Sequence, residues 1–415
     1  MSVDKCYCAL MFRRFLSQIV ILRKLYQITH LLYMILVLLI VALLKTPRGA
    51  NIYILHIGGF GNVVNQSDIF FSNIDGDGFI IWLYTPIRHN PEVKRLYGSR
   101  FIPVNRGAIF RGFRYENAAI ECSAISKVKS LLSRSILRRN LFQLQDLKHI
   151  ATEKGIETED NGWGFWKNKL WFLNLPRDNA NLPFLQRQFS EEFRILDDAL
   201  GDNVCSLYLR KKGDASVFND YCRNNKDLEM YLPILEILKE FSFSVLVYGD
   251  LSSRDMDVCS RLSWVHTFQD FGLSKPVWDI FAPVYSIFTI GASGGGLQIP
   301  VSLGKKVLLL DAFGFWNWFP NCLHSFKSIA NNEGAILNPI HFLINDTDTD
   351  ELAQLTIQFQ PSELDVRVLS EFMSLLPNWP NRDLLINRIQ PESTSHFASG
   401  AIISREWLLH NKVNF

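Results

Sequence analysis

At 415 residues and a formal net charge of +2, the chain has the length of about two to three domains with material for a sizeable core, and no basic stripe dominates it as one would in a nucleic-acid binder. Hydrophobic residues make up 48% of it, a share that fits globular domains joined to a membrane element. The seven cysteines are odd in number and lack paired C-x-x-C spacing, which argues against a disulfide framework; Cys6 and Cys8 have no neighbouring His or Cys to complete a metal site, so free thiols in a reducing compartment are expected.

Leu25 to Leu44 contains no charged side chain, with Arg13, Arg14, Arg23 and Lys24 before it and Lys45 and Arg48 after it. Such a run is long enough to cross about 30 Å of hydrocarbon. No small-residue cleavage site follows, so the run reads as an uncleaved anchor. The richer basic flank lies N-terminal, which would send the body across the membrane if the helix spans. A hairpin with the apolar stretch Leu10 to Leu22, or a helix lying in the interface, would leave the body where it began.

The first globular part opens with a strand from Ala50 to Leu55 that breaks into His56-Ile57-Gly58-Gly59-Phe60-Gly61-Asn62 and a helix from Val63 to Phe71, whose Asn65, Gln66 and Asp68 are expected on a polar face. A buried strand follows at Phe79 to Tyr84. Asp75-Gly76-Asp77 just before it reads as turn chemistry rather than a metal pair. Lys127 to Lys148, with Arg134, Arg138 and Arg139, reads as a basic helical region with a solvated face. Trp163, Trp166 and Trp171 mark an aromatic loop that would cap a core or stack on a sugar.

Beyond a helix near Pro183 to Gly201, strand and helix alternate in the pattern of a parallel sheet: Val204 to Leu209, a helix through Tyr231 to Leu238, Phe243 to Tyr248, Ser252 to Arg261, Trp264 to Thr267 and Trp278 to Ala282. The first of these strands delivers Arg210, Lys211 and Lys212, then Gly213-Asp214; the second ends in Gly249-Asp250. Next comes the stretch on which the chain turns. Ile287 to Ile290 runs into Gly291-Ala292-Ser293-Gly294-Gly295-Gly296, then a short helix containing Gln298 and Pro300 and stopped by Gly304, then the strand Val307 to Leu310 with Asp311 at its end. A glycine corner at a helix start suits a phosphate, because main-chain amides can approach it and the helix end is partly positive. Tight helix packing explains such a corner equally well.

After Asp311 come Phe313, Phe315, Trp316, Trp318 and Phe319, with Asn317, His324 and Lys327 among them, an aromatic run that would wall a ligand or pack a core. Asp346 to Glu351 carries Glu351 where a calcium loop needs glycine and reads as a capped helix start. Ser362 to Leu376 and Ser404 to His410 read as closing helices.

Tyr208-Leu209-Arg210, Arg223-Asn224-Asn225, Tyr231-Leu232-Pro233 and Tyr248-Gly249-Asp250, together with Gly291 to Gly296 and Ser302-Leu303-Gly304-Lys305-Lys306-Val307, resemble a family of bacterial putative glycosyltransferases of surface-polysaccharide biosynthesis. The likeness runs from Asn51 to about Gln358 and is strongest in the second half. It implies an α/β fold of two Rossmann-like doubly wound domains facing a cleft, similar to the GT-B transferases: a membrane anchor over 1–49, an acceptor-side domain over 50–195, a nucleotide-sugar domain over 196–360 and a helical tail over 361–415. By this resemblance the donor would meet Arg210, Asp214, Asn225, Gly249, Asp250, Gly291, Ala292, Ser293, Gly294, Gly295, Gly296 and Gln298, with no metal and no cofactor beyond the nucleotide-sugar. The partners would be a glycan or lipid-linked acceptor and the cytoplasmic face of the inner membrane. The acceptor-side loop Gly58, Gly59, Phe60, Gly61, Asn62 departs from the family, in which an Arg and a His flank the glycine; Asp68, His56 and His89 are the candidates for the catalytic base. A non-catalytic carbohydrate-binding or assembly component on the same fold is the alternative.

Overall fold

The computed structural model describes residues 20–55, 60–74, 77–84, 90–105, 114–134, 139–156, 182–210, 226–292, 294–312, 319, 321–331, 333, 336–337, 356–379 and 402–411. It separates into two compact units, Met1–Ile150 and Ala151–Phe415.

The first unit runs α1 (Val20–Lys45), β1 (Asn51–Leu55), α2 (Phe60–Asn73), β2 (Gly78–Tyr84), β3 (Phe101–Asn105), α3 (Arg114–Arg134), β4 (Asn140–Phe142) and α4 (Leu144–Glu153), the last crossing the division between units. Its four strands lie in the order β3-β2-β1-β4, every pair parallel. The apolar runs of β1 and β2 are buried at nearly every position, as strands covered on both faces require. One of those covers is α1: Met34, Leu38 and Ala42 pack in one cluster with Ile52 and Ile54 of β1, Ile81 and Leu83 of β2, and Ile125, Val128 and Leu132 of α3.

Two expectations change here. The basic region from Lys127 to Lys148 is not one helical stretch, because Asn140, Leu141 and Phe142 add a fourth strand against Asn51, Ile52 and Tyr53. Arg139 is not solvated either; it is 5% exposed and donates from Nε to Thr46 Oγ1 (3.1 Å) and from Nη2 to the carbonyls of Thr46 (2.8 Å) and Leu43 (3.3 Å). A guanidinium there satisfies carbonyls that the end of α1 leaves without partners and sits at its negative pole. Likewise Asn65 and Gln66 of α2 are buried, not part of a polar face. Gln66 accepts from the Tyr53 hydroxyl of β1 at 2.7 Å, so the helix turns this polar pair inward and pairs it there.

The second unit runs α5 (Leu182–Gln188), α6 (Ser190–Ala199), β5 (Val204–Leu209), α7 (Leu232–Glu240), β6 (Ser244–Gly249), α8 (Ser253–Ser260), β7 (Val265–His266), α9 (Lys275–Tyr285), β8 (Phe288–Gly291), α10 (Gln298–Ser302), β9 (Lys306–Ala312), β10 (Cys322–Phe326), β11 (Ser328–Ala330), β12 (Ile336–Leu337), β13 (Thr356–Gln358), α11 (Ser362–Leu375), β14 (Ile402–Ile403) and α12 (Arg405–His410). Seven strands form one sheet in the order β14-β10-β9-β8-β5-β6-β7, all pairs parallel. The central strand β5 is buried at all six positions. Punctuation is as the residues dictate: Ser252 and Asp255 form a reciprocal capping box on α8, and Gly304 closes α10 at φ +69°. The tail holds more than closing helices. β10 and β14 extend the parallel sheet past β9, and β12-β11-β13 is a small antiparallel sheet. These strands are two to five residues long, too short for alternation to register along the sequence.

Candidate functional site

From β5 the chain builds outward through β6 to β7, then returns to lay β8 on the other side of β5 and continues to β9. The order therefore reverses between β5 and β8, and with right-handed crossovers the connections on either side of that line lie on opposite faces of the sheet. A crevice at the carboxyl ends of the two strands is where open α/β sheets take ligands. To this edge the fold brings Arg210 from β5, Gly249 and Asp250 from β6, and Gly291, Ala292 and Gly294 to Gln298 from the β8–α10 connection. The sequence-predicted donor residues that fall among the described ones thus share one sheet edge.

What fills the corner is the ring of Tyr208, the penultimate residue of β5. A Cβ on Gly294 would stand 2.5 Å from its Cε1 and 2.8 Å from its hydroxyl. One on Gly296 would meet Cε2 closer still, and one on Gly291 would lie 3.0 Å from its Cβ. Gly294 and Gly296 are therefore required by a side chain of the protein itself, whatever else the loop does, and Gly291 is tight against the same residue. Tyr208 is 9% exposed and tilts against Tyr248, ring centroids 5.2 Å apart, whose hydroxyl donates to the Gly296 carbonyl at 3.3 Å. Burial pushes the Tyr208 hydroxyl up to about 12, against the pull of the Arg210 charge and a hydrogen bond from the Gly296 backbone.

The helix behind the loop is short. Gly295–Leu297 forms a 3₁₀ turn and α10 has five residues with Pro300 among them, so few amides point outward, since Leu297 N–H is already bonded to the Gly294 carbonyl at 3.3 Å. Gln298 is 9% exposed and its Oε1 has no hydrogen-bond partner, an acceptor left unmet at the same edge. Gly249 has a backbone reason of its own: φ is +100°, and a Cβ would collide with the Leu209 carbonyl. Its N–H donates to Asp279 Oδ1 at 3.1 Å, and Asp279 pairs with Lys275 at 2.5 Å. Burial nevertheless raises the Asp279 carboxyl above the usual range. Asp250 is held by its own backbone, its N–H donating to the Leu209 carbonyl at 2.8 Å.

Asp311, at the end of β9, faces away from solvent entirely. It adopts φ +53°, is 0% exposed, and its Oδ1 accepts from the Gln360 N–H at 2.7 Å. Its Oδ2 lies 2.9 Å from Lys226 Nζ without hydrogen-bond alignment, and the same ammonium donates to Asp365 Oδ2. All three side chains are buried. This charge triad was not foreseen; Lys226 follows the Asn224-Asn225 pair and nothing in the local pattern marks it as a core residue. His324 and Lys327, expected beside the aromatic run, are buried too: His324 Nδ1 meets the Ile402 carbonyl at 3.1 Å, and the Lys327 ammonium stands 4.4 Å from the centre of the Phe359 ring.

On the first unit, Gly61 and Asn62 lie in the first turn of α2, as does Phe60. Asp68 lies on the same helix, where its Oδ1 accepts from the Tyr97 hydroxyl at 2.8 Å. His56, Gly58, Gly59, His89, Asp214, Asn225 and Ser293 lie outside the described residues, as do Asp75, Gly76, Trp163, Trp166, Trp171, Lys211, Lys212, Phe313 to Trp318 and Asp346 to Glu351. No group of three His, Cys, Asp or Glu side chains able to hold a metal occurs among the described residues. Cys122, Cys205, Cys259 and Cys322 take part in no disulfide.

The fold is thus an α/β architecture of two units, each carrying a parallel sheet, the second doubly wound about β5 and β8. No family model matches the chain and no curated protein matches it. Among solved structures it is similar to an E. coli heptosyltransferase in complex with ADP-2-deoxy-2-fluoro heptose (11% identity, 77% of this chain and 99% of that one, TM-score 0.41). It is also similar to a glycosyl transferase family 9 protein of Veillonella parvula (9% identity, 80% and 99%, TM-score 0.41) and to the UDP-GlcNAc 2-epimerase of Neisseria meningitidis (12% identity, 63% and 82%, TM-score 0.36). Likeness at this distance assigns the chain no activity.

Proposed function

We propose that the chain is a membrane-associated glycosyltransferase, GT-B-like, that takes a sugar from a nucleotide-sugar bound on the second unit and passes it to a glycan or lipid-linked acceptor in surface-polysaccharide synthesis. The observation that carries this reading is that Arg210, at the end of β5, and Gln298, with its unmet acceptor just after β8, both stand at the strand-order reversal between β5 and β8. In transfer, the acceptor oxygen bonds the anomeric carbon as the bond to the nucleoside diphosphate breaks. The departing diphosphate gains negative charge, which a fixed cation stabilises without a metal, and a guanidinium does so through two parallel hydrogen bonds. The acceptor proton goes to a base, for which Asp68, His56 and His89 are the candidates. Since Tyr208 takes the space under Gly291, Gly294 and Gly296, the loop gives the site its shape and Arg210 gives it charge.

A thermal-shift series with UDP, GDP and ADP and their sugars tests the binding step. One nucleotide is expected to raise the melting temperature of the native protein and not that of Arg210→Ala, the two proteins melting alike without ligand. No shift with any of them removes the donor reading. A second reading has its own support: with the glycine corner filled by Tyr208 and Asp68 tied to Tyr97, the fold also suits a carbohydrate-binding component without catalysis. Nucleotide-sugar hydrolysis or transfer by the purified chain separates the two, since a binding component releases no nucleoside diphosphate.

A further inference from the structure

α1 is buried on one side only. His30, Met34, Leu38, Ala42 and Thr46 recur every fourth residue and are no more than 5% exposed. Along the opposite side Leu25, Ile28, Leu32, Leu36, Ile40 and Leu44 are 45–76% exposed. The exposed stripe is aliphatic except at Thr29 and runs for about 30 Å at the helical rise of 1.5 Å per residue. Exposed cations close both ends, Lys24 at one and Lys45 with Arg48 at the other.

We propose that this stripe docks on an anionic phospholipid surface with α1 lying in the plane of the interface, and that the helix does not cross the bilayer. The inference rests on the membrane association proposed above and fixes its geometry. A crossing helix would carry its buried side into the hydrocarbon, and that side is fused to β1, β2 and α3. The strand ends of a four-stranded open sheet, the exposed Lys127 of α3 and the Lys129–Asp146 ion pair at 2.8 Å would go with it. Open sheet edges and exposed charges do not enter lipid hydrocarbon. Lying flat, the same helix sinks only its aliphatic side to acyl depth and sets all three cations at the level of the lipid phosphates, where basic residues at a helix's ends strengthen binding.

Lipid fits the stripe better than protein does, because protein interfaces concentrate aromatic residues and Arg at their centres and here the large exposed side chains are all Leu and Ile, with Thr29 between them and Tyr26 and Tyr33 half-buried at the margin. An in-plane helix also keeps the whole body on one side of the membrane. The basic flanks then need no longer predict translocation, and the body stays with cytosolic nucleotide-sugars.

The test uses the full chain with vesicles of phosphatidylcholine, alone or with about a third phosphatidylglycerol. Binding is expected to be tighter to the anionic vesicles and to weaken with salt. Leu32→Ser with Leu36→Ser is expected to lower the partition coefficient by about tenfold or more while leaving the melting temperature within a few degrees, since both side chains are exposed. Nitroxides on single cysteines replacing Leu25, Leu36 and Leu44, in a chain whose other reactive thiols are serine, are expected at one common shallow depth. Binding to neither vesicle overturns the membrane association itself. Binding with position 36 at the bilayer centre and positions 25 and 44 at its surfaces overturns the in-plane geometry alone. Binding with none of the three labels immersed means that a second copy, or residues 1–19, covers the stripe, and overturns the docking face.

Discussion

The ring of Tyr208 and the α-carbon of Gly296 are in such close contact that a methyl group on the latter would overlap the former. The glycine is thus a partner of the tyrosine, and the two positions are coupled. Gly296→Ala is expected to destabilise the native chain by about 1–3 kcal/mol, the usual cost of overpacking. In a Tyr208→Ala background the same change is expected to cost little, because the ring it strikes is gone. A double-mutant cycle in urea that returns no coupling between the two positions contradicts the packing described.

That relationship also shows what the sequence could and could not convey. The strand-corner-helix-strand order around Gly291 was legible because glycine, proline and β-branched runs act locally, and the stops at Gly304 and the cap at Ser252 follow the same logic. The reason for Gly294 and Gly296 was not, since it lies in Tyr208, more than eighty residues earlier and brought alongside only by the pairing of β5 with β8. Asn65 and Gln66 were misplaced for a related reason: helical periodicity assigns polar residues outward, and only the Tyr53 hydroxyl across the β1–α2 interface makes their burial favourable. The short strands β10 to β14 depend on neighbours already in place. Of the site, the shared sheet edge of Arg210, Gly249 and Gly291 was readable from strand ends; the buried acceptor of Gln298 was not.

Lys226, Asp311 and Asp365 make the second unit's stability depend on pH. Burial pushes Asp365 up to about 7, with the Asp311 charge adding to it and Lys226 opposing it. An unfolded aspartate titrates near 3.9, so between about pH 4 and pH 7 the native state keeps a proton that the unfolded chain has released. Stability from this group is fully present below about pH 4 and is lost as pH rises through about 7. Urea midpoints of the native chain should therefore fall from pH 5 to pH 8 more steeply than those of Asp365→Asn. Parallel pH profiles for the two proteins would rule the assignment out. Lys226→Met, which strands two carboxylates together, is expected to cost about 3–5 kcal/mol at pH 8 and less at pH 5.

Arg139 ties β4 to the end of α1 through three hydrogen bonds, one of them to Thr46 Oγ1, which itself donates to the Ala42 carbonyl at 2.5 Å. Removing the guanidinium leaves buried carbonyls unmet, each at a cost of about 1–3 kcal/mol. Arg139→Met keeps much of the aliphatic stem and is expected to destabilise the first unit by that order. Arg139→Lys should recover only part, since one ammonium cannot reproduce the planar fork. Hydrogen exchange is the sharper readout: amides in the last turns of α1 should lose protection while those of β5 and β6 keep theirs. Equal loss in both units would mean that Arg139 acts on the chain as a whole.

Asp68 is the one candidate base among the described residues, and its partner decides how to read it. Tyr97 has a single proton to give, and of the two oxygens within reach, Asp68 Oδ1 at 2.8 Å and the Val64 carbonyl at 3.1 Å, the carboxylate is the stronger acceptor. Burial and Asp68 together hold the Tyr97 phenol well above its ordinary value, so the phenol stays a donor across the whole accessible pH range and the bond does not titrate away on its side. If Asp68 serves only to hold Tyr97, Asp68→Asn and Tyr97→Phe should each cost about 1–2 kcal/mol, with neither altering the rate of sugar transfer per folded molecule. If Asp68 takes the acceptor proton, Asp68→Asn should lower kcat by at least about a hundredfold, with the thermal shift from nucleotide unchanged, and Tyr97→Phe should keep most of the rate. Measuring kcat and the nucleotide-induced shift on both variants separates a base from a tether, because only the first outcome divides chemistry from stability.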